Sequence, residues 1–180
     1  MDRTTFTIDP PSRLLVHTRA EGLLARLAHD LELSSKEISG TASLDGDAWT
    51  AELDVPVRSL TVEGVLRGDV VDHAALSGGD REQILSKMRE DVFGTTTNVE
   101  ARAQGSRRDR GEAIIACGRA SMRAPITLSV KGREGGALHA SGSFEVSIKA
   151  LGGKPVKGPL GAFAVKDRVT IRFALTLIPG

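Results

Sequence analysis

Leu138-His139-Ala140-Ser141-Gly142-Ser143-Phe144-Glu145-Val146-Ser147-Ile148-Lys149 alternates without a break. Leu138, Ala140, Phe144, Val146 and Ile148 fall on one parity, and His139, Ser141, Ser143, Glu145, Ser147 and Lys149 on the other. Successive side chains of a strand point to opposite faces, so this stretch is a strand with one apolar and one wet face. The same pattern recurs on both sides of it. Val169, Ile171, Phe173, Leu175 and Leu177 alternate with polar residues near the end of the chain. Ile126, Leu128 and Val130 do so before it, and Trp49, Ala51, Leu53 and Val55 earlier still. Weaker alternation runs through residues 97–103 and 113–117, and residues 14–19 and 30–44 also read as strand. About eight or nine strands result.

Polar turns separate them: Asp45-Gly46-Asp47, the run from Gly105 to Gly111, and that from Gly132 to Gly136. Short strands at near-even spacing with polar turns indicate an antiparallel sandwich or barrel. One-sided alternation argues against a parallel sheet buried on both faces. One segment departs from the period of two. Asp80-Arg81-Glu82-Gln83 reads as a capping box, followed by Ile84, Leu85, Met88 and Val92 at helical spacing and by Gly94. This predicts a helix over residues 80–91, with a weaker signal for a second over residues 65–76. The fold class is all-β, with one or two short helices, in a single domain spanning residues 1–180.

Composition narrows the function classes. The 180 residues carry 24 Lys and Arg against 23 Asp and Glu, a net charge of +1, which gives nucleic acid no electrostatic footing. Aromatics are 3% of the chain, with no Tyr, so base-stacking surfaces are scarce. The single cysteine, Cys117, excludes an internal disulfide and a cysteine-rich zinc site and reads as a buried thiol. No apolar run reaches the length of a membrane helix. Residues 1–11, MDRTTFTIDPP, lack a signal-peptide core, which reads as cytoplasmic. A chain trimmed of its leader would read the same and be periplasmic.

No catalytic constellation emerges. His17, His29, His73 and His139 show no metal-ligand spacing, and no metal or cofactor is expected. His29 and Asp30 are adjacent, so on a strand they face opposite ways. Gly152-Gly153-Lys154-Pro155 lacks the spacing of a phosphate loop. Arg107, Arg108 and Arg110 around Asp109 read as a solvated hairpin tip. An eight-stranded barrel either fills its interior with side chains or leaves room for one small ligand. Period alone does not choose between them.

The order of several motifs resembles the YceI-like family. Phe6-Thr7-Ile8-Asp9 with Ser12 is similar to the family's opening. Ser39-Gly40-Thr41 with Leu44-Asp45, Asp91-Val92-Phe93, Ala120-Ser121-Met122 and Pro125-Ile126-Thr127-Leu128 follow in its order, and residues 169–177 resemble its last strand. The resemblance implies a lipocalin-like antiparallel barrel that holds polyisoprenoid chains, quinone tails among them, and is not an enzyme. The hairpin before Pro125 is shorter than the family's. Thr97, Val99 and Ala101 stand where its aromatic lining is thicker.

The leading expectation is a non-catalytic carrier of an apolar, isoprenoid-like lipid. Its lining would be Leu53, Val55, Leu128, Phe144, Val146, Phe173 and Leu175, on the inward faces of the best-alternating strands. The rival gives these seven to a closed core in an interaction or structural module with no small-molecule ligand. An enzyme using His17, or His29 with Asp30, is a third class. A homo-dimer is compatible with all three.

Overall fold

The computed structural model describes residues 3–22, 28–158, 160 and 163–180. In chain order the strands are β1 (Thr4–Thr18), β2 (Ala20–Glu21), β3 (Asp30–Ser35), β4 (Ser39–Asp45), β5 (Ala48–Pro56), β6 (Thr61–Arg67) and β7 (Val70–Asp72). The helix α1 (Gly78–Met88) follows and continues as a π-helical turn, Arg89–Phe93. Then come β8 (Asn98–Arg107), β9 (Arg110–Cys117), β10 (Ala120–Gly132), β11 (Leu138–Ser147), β12 (Ala164–Val165) and β13 (Arg168–Pro179).

Eight of these close a barrel in the order β1-β4-β5-β8-β9-β10-β11-β13, and β13 returns to pair with β1. Every pairing in it is antiparallel, as the one-sided alternation predicts. The opening stretch is β11, and Phe144 opposes Ile171 across its ladder to β13.

β1 is long because it serves two neighbours. Its first half pairs with β4 and its second half with β3, while β13 runs along the other side of both. The register shifts between Asp9 and Arg13, at the cis Pro10-Pro11 bond. Ser12 holds that irregularity: its hydroxyl donates to the Asp9 carbonyl at 2.7 Å and accepts from the Thr176 amide at 3.0 Å.

β3, β6 and β7 extend the sheet beyond β1 as a flap. α1 packs on it through Leu85 against Leu33 and Val62, with Ile84 and Met88 alongside. The Arg81 guanidinium donates to the carbonyls of Val62, Glu63 and His73, which ties the helix to β6 and the residues after β7.

Four expectations are corrected. The helix begins after Ser77, not Asp80, because Ser77 Oγ accepts the Asp80 amide and the Asp80 carboxylate accepts the Ser77 amide. It also runs past Asp91 to Phe93, where Gly94 ends it at φ +55°. Residues 65–76 form no second helix. They complete β6 and turn at Gly68 (φ +67°) into β7, and Arg67 Nε sits 3.0 Å from Asp72. Residues 30–44 are two strands, broken at residues 36–38. Gly105 and Gly111 belong to strands, and only Arg108-Asp109 turns between them. The polar character there marks the hairpin's exposed tip, where Asp109 pairs with Arg107 and Arg110.

Candidate functional site

All seven residues expected from the alternation line one continuous cavity of about 800 Å³ inside the barrel. Leu53 and Val55 come from β5, Leu128 from β10, Phe144 and Val146 from β11, and Phe173 and Leu175 from β13. Val146 and Leu175 are buried, whereas Leu53, Val55, Leu128, Phe144 and Phe173 are only partly so. An inward side chain in a closed barrel keeps exposure only toward the lumen. The partial exposure of those five therefore means that the interior is hollow there, not filled by its own side chains.

Small side chains line up on one wall of the barrel. Ala42 of β4 opposes Ala51 of β5, Ala51 opposes Ala103 of β8, Ala103 opposes Ala113 of β9, and Ala113 opposes Ala124 of β10. Five alanines thus stand side by side across five adjacent strands, at the ladder spacing of about 4.8 Å. Ala103, Ala113 and Ala124 are covered by the larger side chains of the core cluster, and only Ala42 and Ala51 are half-buried against the cavity. Methyl groups cannot reach across an eight-stranded barrel, whose interior is otherwise just wide enough for larger side chains to fill.

The two ends differ. At the hairpin end lie the turns of β4–β5, β8–β9 and β10–β11. There the Trp49 indole lies so close over Gly105 and Gly111 that a methyl group on either glycine would come within 2.5 Å of the ring. Trp49 Nε1 donates to the Arg107 carbonyl at 2.8 Å, and Arg108 donates to the Gly46 carbonyl and sits 3.0 Å from Asp47. At the other end, α1 and residues 148–158 and 163–165 cover the barrel. Ile84, Met88, Val92 and Phe163 line the cavity there, and His29, Gln83, Lys87 and Lys157 form its polar rim. Lys87 Nζ is 2.7 Å from the Asp91 carboxylate. Asp167 anchors the covering loop. It accepts the Ser147 hydroxyl at 2.6 Å and the Lys149 amide at 2.8 Å, and these bonds hold its carboxyl below the usual carboxylate range.

The candidate acid/base groups lie elsewhere. His17 opposes Glu32 across β1 and β3, on the parity that points away from the cavity-lining Val16 and Leu33. His17 Nε2 and Glu32 Oε2 are 2.8 Å apart and buried, and Arg13 lies 3.6 Å from the same carboxylate. Glu63 accepts the Ser34 hydroxyl beside them, and this bond, opposed by burial and aided by Arg13, lowers its pKa. His29 does not join Asp30. Burial pushes the Asp30 pKa up, but its bonds to Arg19 (2.8 Å) and to the Ala20 amide outweigh that and leave it lowered. Cys117 is buried and lines the cavity. Among the described residues, no group of three His, Cys, Asp or Glu converges as a metal site would. No helix among them is long and apolar enough to cross a membrane.

Sequence reasoning missed the alanine row and the helix residues at the mouth. Ile84 and Met88 carried a signal, an apolar pair at i, i+4, which reads equally as ordinary core.

No protein-family model matches this chain, and no curated protein matches it by sequence. Among solved structures, the crystal structure of Burkholderia cenocepacia BcnA is similar, with a TM-score of 0.61 at 14% identity. The match covers 94% of this chain and 98% of that one. At that identity the likeness is one of fold: a lipocalin-like, all-β barrel.

Proposed function

We propose that this chain is a non-catalytic carrier that holds an apolar, isoprenoid-like lipid inside its barrel. The observation that carries the reading is the 800 Å³ lumen whose inward aliphatic side chains remain partly exposed. A chain entering it gains about 0.8 kcal/mol for each methylene taken out of water, without any polar chemistry. The volume lies within the roughly 300–1,000 Å³ range of small-molecule sites. The fold shared with BcnA supports a ligand-holding barrel, and the YceI-like order of motifs supports a polyisoprenoid or quinone-like occupant. The buried acid/base pair His17 and Glu32 faces away from the lumen, which favours a lipid carried unchanged.

Trp49 makes the test direct, because it is the one Trp of a chain without Tyr and it lines the cavity. Titration of the purified protein with a prenyl alcohol should shift and saturate Trp49 emission, with native mass spectrometry giving one lipid per chain. Absence of both signals would refute the carrier.

A further inference from the structure

A lumen that holds a chain does not account for the surface around its α1-end mouth. From Lys149 to Lys166 the chain carries four Lys and no Asp or Glu. Lys149, Lys154, Lys157 and Lys166 are all exposed, and none makes an ion pair among the described residues. Cations without partners direct their field outward. The hairpin end is the contrast. Its arginines are paired within the tips: Arg108 with Asp47 at 3.0 Å, and Arg110 and Arg107 with Asp109 at 3.0 and 3.4 Å. Around the mouth the carboxylates are engaged elsewhere: Asp30 by Arg19, Asp91 by Lys87, and Asp167 by the Ser147 hydroxyl. Glu21, opposite Ala164, and Glu90, beside Lys87, are without ion pairs among the described residues.

The covering segment is built as a ribbon. The Val165 amide donates to the Val156 carbonyl and the Gly158 amide to the Phe163 carbonyl, both at 2.9 Å, so residues 156–158 run against 163–165. Val156, Phe163 and Val165 line the lumen, and the ribbon's inner face is therefore a wall of the mouth. Leu160 stands between the two arms in the chain and is fully exposed, the most exposed large apolar side chain among the described residues. Lys157 precedes it on one arm and Lys166 follows the other. Lys154 lies where the Asp91 carbonyl accepts its amide at 2.7 Å.

A single exposed leucine is ordinary on a protein surface. This one is set apart by its place, among unpaired lysines and on a ribbon whose other face lines an apolar mouth. An acidic protein partner would satisfy the lysines and offer Leu160 nothing. An anionic lipid surface satisfies both: the apolar side chain enters the boundary between head groups and acyl chains, and the lysines meet the negative heads while their stems lie against it.

We propose that Leu160, with Lys149, Lys154, Lys157 and Lys166, forms a docking face for an anionic lipid bilayer. Docked this way, the mouth opens onto the bilayer, and an apolar chain passes between bilayer and lumen without crossing open water. The passage of lipid rests on the carrier reading; the docking chemistry does not.

The experiment uses the full chain and vesicles of phosphatidylcholine, alone or with about one-third anionic phosphatidylglycerol. Flotation measures vesicle binding, and Trp49 emission with a prenyl alcohol, in the absence of vesicles, measures uptake separately. Wild type should bind the anionic vesicles at least about tenfold better than the neutral ones, and high salt should abolish the difference by screening exposed charges. Leu160→Asp should weaken binding about tenfold or more. Lys154→Gln combined with Lys166→Gln should weaken it about 25-fold, at about fivefold for each lysine. Arg107→Gln combined with Arg110→Gln, at the hairpin end, should change it less than about twofold. Melting and prenol uptake should match wild type in all three variants. Equal binding to both vesicles, loop variants that bind as wild type does, or an equal loss at the hairpin end would overturn the docking face and leave the carrier standing. Vesicle binding through Leu160 and the lysines, with no uptake of prenol, would keep the docking face and remove the carrier reading.

Discussion

Two alanines of one row should respond in opposite ways to the same substitution. Ala51 is half-buried and lines the lumen, while Ala124 is 1% exposed and packed in the core cluster with Ile115, Ile126 and Val146. Replacing either by Phe adds a six-carbon ring, about 100 Å³ at interior packing density. At Ala51, half-buried against the cavity, the ring has free space to enter. It should leave stability within about 0.5 kcal/mol of wild type, because no neighbour must move. It displaces three to four methylenes of a lumen-filling lipid, worth about 3 kcal/mol at roughly 0.8 each, so affinity should fall roughly 100-fold. At Ala124 the ring has no such space, and overpacking should cost about 1–3 kcal/mol or more. The assay is chemical denaturation of the three proteins, paired with prenol titration of wild type and Ala51→Phe. If Ala51→Phe is destabilised as much as Ala124→Phe, the interior is filled at Ala51 and the hollow-barrel argument fails.

Three further outcomes follow from single contacts. Gly142→Ala should destabilise by roughly 1–3 kcal/mol and loosen the lumen wall, since its methyl would meet the Phe173 ring at 2.7 Å and press on the Thr127 carbonyl; thermal melting checks this, and an unchanged midpoint would contradict it. His17→Ala leaves the buried Glu32 carboxylate with Arg13 alone at 3.6 Å and should cost about 3 kcal/mol without weakening lipid affinity in the folded protein. Reduced affinity would mean that this cluster communicates with the lumen. For Asp167 the sign is that of a depressed carboxylate: its contribution is fully present above about pH 4 and is lost as pH falls through the lower folded value. Asp167→Asn should therefore be less stable at neutral pH and flatten that part of the acid-denaturation profile.

The barrel was legible because its strands are wet outside. Glu145, Ser147 and Lys149 mark one parity of residues 138–149, and a closed antiparallel sheet keeps that parity on one side. The flap was harder. Residues 65–76 contain Val65, Leu66, Val70 and Val71, a spacing that suits a helix as well as a two-residue hairpin. What decides it is Gly68 in the left-handed region and the pairing of Val65 with Asp72, neither of which a period measures. The helix start was missed for a related reason. Ser77 and Asp80 form the box, yet Asp80 and Gln83 show the same spacing in sequence, and only the hydrogen bonds between Ser77 and Asp80 distinguish them.

The lining was legible and the hollow was not, and the difference is one of register. Alternation says which side chains of a strand face inward, and it placed Leu53, Leu128, Phe144 and Phe173 correctly on the lumen side. Whether inward side chains meet in the middle depends on which of them stand at the same level on neighbouring strands. Ala42, Ala51, Ala103, Ala113 and Ala124 are separated by nine, 52, ten and 11 positions in the chain, and nothing in those intervals groups them. Pairing does, because each opposes the next across a ladder. Had the same five alanines been staggered by two residues on alternate strands, some would have neighboured a larger side chain such as Leu53 or Ile115. The wall would then be uneven. The alanine row is thus a property of the strand pairing, written in five separate places in the sequence and assembled only when the barrel closes.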